Sequence, residues 1–208
     1  RYEDLEAAAA VGKQAAQRTV RRLSSRRVST DQVPVLFEAP VAASLLSHLV
    51  SAISGSALYR KASFLLDQLE QPVFPDWVRV HEQPLLPSAI GSAAFDGEGV
   101  RTRTRDIVSD GVLTGYVLDS YSARRLDLRT TGNAGGVHNL TLVSGTKSLD
   151  ELVSDMGRGL LVTELIGFGV NPVTGDYSRG AAGFWVDQGE IQFPVDEITI
   201  AGNLKQMF

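Results

Sequence analysis

Residues 181–202, AAGFWVDQGEIQFPVDEITIAG, decide the fold class. Apolar and aromatic side chains lead up to Asp187-Gln188-Gly189, and an apolar run resumes beyond it. Turn residues between two such runs predict a β-hairpin. Pro194 interrupts the return arm, so a further strand is expected after it. Residues 101–121, RTRTRDIVSDGVLTGYVLDSY, read as a second hairpin turning at Asp110-Gly111, a dipeptide favoured in two-residue hairpin loops. VRVHEQP (78–84) alternates, and HNLTLVSG (138–145) and LLVTELIGFGV (160–170) read as further strands.

The remaining segments are helical. Residues 3–24 are dense in alanine, with Leu5, Ala8, Ala9, Ala16, Val20 and Leu23 recurring at helical steps. VPVLF (33–37) is a short candidate strand, and a helix over about 40–54 follows, with Pro40 in its first turn and Gly55 as its stop. SLDELVSDMGRG (148–159) predicts a capped helix, with Ser148 as N-cap, Glu151 three residues on, and glycine at the end. Helices first and mostly antiparallel strands afterwards give an α+β class rather than a βαβ one. One domain over 1–208 is expected, helical over about 1–70 and β-rich over about 78–208. Arg1 stands where a helix is already under way and the chain stops at GNLKQMF, so a fragment of a longer protein is expected.

With 43% hydrophobic and 21% charged residues, the chain has the mix of a globular protein. No apolar run reaches the ~18 residues of a membrane span. EAAAAVGKQAAQ (6–17) is too polar for the apolar region of a signal peptide. There is no cysteine, which excludes disulfides and thiolate metal sites and fits a reducing cytoplasm. The net charge of -4 argues against a nucleic-acid coat protein. Arg18, Arg21 and Arg22 recur at helical spacing and read as a solvated face, with a nucleic-acid or acidic-partner patch as the other reading.

LLSHLVSA (45–52) poses the chemical question, because zinc peptidases carry ligands on such a helix. A working site needs a second imidazole and a glutamate to handle the bound water. Leu49, Ala52 and Ile53 occupy the following positions, and none can ligate. His48 falls at the edge of the apolar arc and reads as a partly buried histidine. No Gly-x-Ser-x-Gly elbow and no phosphate-binding loop occurs. Two polar stretches remain. Asp96 and Glu98 sit among Gly91, Gly97 and Gly99, as a cation site, an acid/base pair or a polar turn. Asn133, His138 and Asn139 lie in the glycine-rich stretch RTTGNAGGVHN (129–139), whose backbone could bind a peptide or carboxylate.

Three stretches together resemble one family: PVLFEAPVAASLLSHLVSAISG (34–55), residues 92–139, and GFGVNPVTGDYSRGAAGFWVDQGEIQFPVDEITIAGN (167–203). They look like the C-terminal half of the PmbA/TldD family, once called modulators of DNA gyrase. TGDYSRGAAGFWV followed by GEIQFPVDEITIAGN carries the likeness most specifically. In that family a TldD-type subunit carries His-Glu-x-x-x-His on a helix, and a PmbA-type subunit, also called TldE, lacks it. Here His48 stands at the first position, Leu49 at the glutamate and Ile53 at the second histidine, so the chain resembles the PmbA branch and His48 is a degenerate metal-helix position. The resemblance implies a metal-free subunit of a cytoplasmic peptidase that cleaves small or unfolded peptides. No cofactor is expected in this chain, zinc is expected in the partner, and the partner is a TldD-type subunit or a second copy. Asp96, Glu98, Asn133, His138 and Asn139 are the candidate substrate-binding residues. Two alternatives stand beside this reading: a hydrolase of its own using Asp96, Glu98 and His138, and a nucleic-acid or gyrase-associated module.

Overall fold

A computed structural model describes residues 4–208. By its contacts the chain divides into two compact units that interleave along the sequence. The first holds the chain up to Ala42, Lys147–Phe168 and Arg179–Ile200; the second holds Ala43–Thr146, Gly169–Ser178 and Ala201–Phe208.

In the first unit a four-stranded sheet has the order β1-β6-β7-β8, built from β1 (Val35–Phe37), β6 (Gly159–Ile166), β7 (Asp176–Asp187, from Arg179 onward) and β8 (Glu190–Asn203, up to Ile200). β1 runs parallel to β6, with Leu36 opposite Leu161, and β6 runs antiparallel to β7, with Leu161 opposite Phe184. The period-2 alternation sorts the side chains onto two faces. Leu161, Phe184 and Val186 pack with Val153 of helix α5 (Leu149–Met156), while Leu160, Val162, Ala181 and Val195 form a second cluster. Each fully buried Leu or Phe contributes about 1.5–3 kcal/mol. Ser148 and Glu151 form the expected capping box on α5, and Gly157 follows at φ 68°.

Two expectations change in this unit. Helix α1 spans Ala8–Arg21, not 3–24; Leu5 and Leu23 fall outside it, residue 3 lies outside the described residues, and no residue of α1 is buried. Ala7 at its N-cap accepts from Ala10 N at 2.8 Å through its carbonyl but has no side-chain oxygen to cap the remaining free N–H groups. The strand after Pro194 is not a separate one, since β8 runs unbroken from Glu190 to Asn203. Pro194 is tolerated because its carbonyl faces the open side of an edge strand, accepting from Arg26 N at 2.9 Å, and its missing N–H falls on that same side.

The second unit carries helix α2 (Ala39–Ala52, from Ala43 onward), α3 (Gly55–Tyr59), α4 (Ser120–Arg125) and a sheet of order β4-β3-β2-β5. Its strands are β2 (Val80–Glu82), β3 (Arg105–Ser109), β4 (Val112–Leu113) and β5 (Leu140–Leu142), all antiparallel. Leu49, Ile53, Val80, Ile107, Val108 and Leu113 are fully buried in it. The β3–β4 turn has Asp110 at φ 49° and Gly111 at φ 76°, the paired positive values of a type I′ hairpin. The second arm is shorter than expected: β4 ends at Leu113, and Asp119, accepting from Ser122 N at 2.7 Å, caps α4 where strand was expected. Gly55 does not end α2; it opens α3, where a Cβ would lie 2.1 Å from Ser122 Oγ of α4. The short C-terminal helix α6 (Leu204–Met207) has Asn203 as its cap and had no signal in the periodicity. The fold is α+β, as the order of helices and hairpins predicts.

Candidate functional site

The glycine-rich loop 130–139 enters β5 directly, and two carboxylates of the second unit hold it. The first is Asp96, whose side chain is buried. Its Oδ1 accepts from Glu98 N and Val100 N and its Oδ2 from Ala134 N, each at 2.9 Å. Burial pushes the Asp96 carboxyl up, but the N–H groups of Ala134, Val100 and Glu98 outweigh it and leave it below the ordinary value of 3.8. Gly97 N donates back to Ala134 O at 2.9 Å, which ties the 95–101 turn to the loop from both sides.

The second carboxylate is Glu82, 1% exposed. Arg105 is its cross-strand partner on β3 and donates from Nε at 2.9 Å. Its Nη1 donates to Tyr116 O and its Nη2 to Asn133 Oδ1, each at 2.9 Å. Glu82 Oε1 receives Asn133 Nδ2 at 2.7 Å, His138 N at 2.8 Å and His138 Nδ1 at 3.3 Å. A buried ion pair is tolerable only when hydrogen bonds meet its carboxylate and guanidinium; here Glu82 accepts from Arg105, Asn133 and His138, and each nitrogen of the guanidinium donates one bond. Gly132, at φ 75°, passes so close to Arg101 that a Cβ would lie 2.7 Å from its carbonyl oxygen.

Asp96, Asn133 and His138 are thus joined in one network through Glu82, Arg105 and the Ala134 backbone. Glu98 and Asn139 make their own bonds. Glu98 Oε2 accepts from Ser120 N at 2.9 Å. Asn139 donates to Gln83 O and Ser92 Oγ at 2.8 Å and accepts from Gly91 N at 3.0 Å. With Asp96, Glu98, Asn133 and Asn139 committed inward, the loop's open chemistry is its backbone and the second ring nitrogen of His138, whose side chain is 14% exposed. Gly135 is exposed, and its N–H and C=O make no hydrogen bond among the described residues. On the other face of β2, His81 Nδ1 lies 2.5 Å from Asp106 Oδ1, which also accepts from Arg79. Burial raises the Asp106 carboxyl, but Arg79 and His81 bring it down.

His48 lies on α2, its ring edge-on to that of Tyr177 at 6.1 Å. Leu49 and Ile53 are 0% exposed and Ala52 1%. Among the described residues, no group of three or more histidine, cysteine, aspartate or glutamate side chains is arranged to hold a metal ion. None of their helices is long and apolar enough to cross a membrane.

Glu82 and Arg105 escaped the sequence reading. The signal was available: Val78, Val80 and Glu82 share one parity of an alternating strand, as do Arg105 and Ile107 of the next. A charge at an inward position marks a buried partner.

Residues 30–208 match the family described as PmbA/TldA metallopeptidase C-terminal domain. The chain is 54% identical over 205 residues to Metalloprotease PmbA of Escherichia coli O157:H7, covering 99% of this chain and 46% of that protein. It therefore spans about half the length of the curated relatives it matches. A Thermotoga maritima protein described as a modulator of a DNA gyrase superposes with a TM-score of 0.90 at 33% identity, over 98% of this chain and 49% of that one. TldE from Thermococcus kodakarensis superposes with a TM-score of 0.83 at 26% identity, over 95% and 48%. The chain belongs to the PmbA/TldD metallopeptidase family and corresponds to its C-terminal domain.

Proposed function

We propose that this chain is the PmbA-type, metal-free subunit of a cytoplasmic metalloprotease complex. Its partner is a TldD-type subunit that carries the zinc, and the complex cleaves small or unfolded peptides. One observation carries the reading. Where the family's metal motif has its glutamate and second histidine, this chain has Leu49 on α2 and Ile53 just past its end, both fully buried. The residues of α2 do not fit a zinc ion: one imidazole remains, and hydrocarbon stands where donors are needed.

Loop 130–139 is the substrate-facing element of this subunit. Asp96, Asn133, His138 and Asn139 fix its shape, and Glu98 fixes the neighbouring turn to α4. An extended peptide leaving water must have its backbone hydrogen-bonded, and the open Gly135 backbone offers one donor and one acceptor.

Co-purification at native expression level tests the reading. Zinc is expected in the complex and absent from the chain alone after dialysis, with peptide cleavage found in the complex. About one zinc per isolated chain, lost on His48→Ala, would overturn it.

A further inference from the structure

Glu82 does more chemistry than loop anchoring requires. Its side chain is 2% exposed, and its Oε1 faces Nδ1 of His138, whose own side chain is 14% exposed. A carboxylate paired with the Arg105 guanidinium can only accept, so Nδ1 of the imidazole must carry a proton. In the neutral ring the other nitrogen, Nε2, then holds a lone pair. Among the described residues Nε2 makes no hydrogen bond, and it is not one of their sealed, unpartnered polar atoms. Glu82 faces the ring, Arg105 pairs with that carboxylate, and Asp96 lies close enough to interact with the ring electrostatically.

We propose that Glu82 is a positioning residue that fixes His138 in the Nδ1–H tautomer. His138 thereby presents Nε2 as a hydrogen-bond acceptor for a backbone N–H of the bound peptide. The loop then reads a peptide in two ways: Gly135 offers a main-chain donor and acceptor, and His138 requires a donor from the ligand. A peptide methylated at the matching amide nitrogen is refused. This rests on the peptide-binding reading of loop 130–139, but its first test does not.

Nitrogen-15 NMR of the histidines in the unmodified protein, above the pH at which imidazole is protonated, reads the tautomer directly. The expected result is a protonated Nδ1 and a bare Nε2 at His138; the opposite tautomer overturns the proposal whatever the complex cleaves. Glu82→Gln is expected to abolish that preference. Since that variant leaves Arg105 without its counter-charge and can fail to fold, two others carry the kinetic arm. His138→Asn keeps a donor where Nδ1 stands and deletes the acceptor at Nε2, while His138→Gln returns an amide to the Nε2 position. With a quenched fluorescent decapeptide and the zinc-loaded complex, His138→Asn should raise KM about fivefold, the worth of one hydrogen bond. The kcat should not move, and His138→Gln should recover most of the loss. An unchanged KM in folded His138→Asn, with the tautomer as expected, overturns the Nε2 contact while leaving the subunit assignment standing. Absence of cleavage by the wild-type complex would instead strike the assignment.

Discussion

Helix α2 and loop 130–139 each carry one histidine, and the two are held in opposite ways. His48 rides a regular helix among hydrocarbon neighbours: Leu49, Ala52 and Ile53 are buried, and the ring meets Tyr177 edge-on. His138 sits in irregular chain, where a buried carboxylate takes both its backbone N–H and its Nδ1. The helix gets its shape from its own backbone bonds and needs no particular polar side chain. The loop has no such ladder, so its shape must come from side chains. A position can therefore lose its chemistry on α2 and remain scaffold, whereas on the loop every polar residue is also a structural part.

The largest test of that contrast is Arg105→Ala. It strands Glu82 as a buried charge and should cost about 3–5 kcal/mol in urea or thermal unfolding. A change below about 1 kcal/mol would break the comparison, because the loop would then not depend on its ion pair. Adding Glu82→Gln to Arg105→Ala should recover part of the loss, since the orphaned charge disappears.

His48→Ala should cost about 1–3 kcal/mol, from the void or the orphaned contact left behind. Peptide cleavage by the complex should survive it. An unchanged thermal midpoint with cleavage abolished would make His48 functional and reverse its place in the contrast.

The double variant His138→Ala, Asn139→Ala removes an imidazole and the loop's tie to Gln83, Ser92 and Gly91. It should raise KM for peptides about 5- to 30-fold, at about 1 kcal/mol for each lost hydrogen bond. The partner's zinc content should stay constant. Wild-type kinetics would reduce the loop to a connector.

The smallest effect concerns acid. Asp96 titrates below its unfolded value of 3.8, so its contribution to stability is present above that value. It is lost as pH falls through the lower, folded value. Amide exchange at Ala134, Glu98 and Val100 should accelerate over that range ahead of the β6 and β7 amides. Equal acceleration everywhere would mean that Asp96 does not hold the loop locally.

Local chemistry was legible in the sequence because each signal was complete within a few residues. Asp110-Gly111 fixed a hairpin through its own backbone preferences, Ser148 and Glu151 capped a helix three residues apart, and the apolar arc of α2 declared its buried side. The absence of a zinc motif was equally local, since a motif on one helix stands or falls on spacing. Length was harder: α1 starts at Ala8 behind an alanine that offers no side-chain cap, and β8 passes through Pro194 because an edge strand has a side on which no N–H is required. Loop 130–139 was recognisable as a glycine-rich element with polar side chains, but what those side chains touch was not. Glu82 lies 51 residues from Asn133 and 56 from His138, and Arg105 reaches Glu82 from 23 residues away. Such pairings are set by strand register, which places Glu82 opposite Arg105 and aims both inward. By itself the sequence determined the α+β class, the hairpins and the lack of a His-Glu-x-x-x-His spacing after His48, because these depend on neighbours along the chain. Only the tertiary structure decided that a buried carboxylate organises the glycine-rich loop, because burial and long-range partners exist only once the sheet has formed.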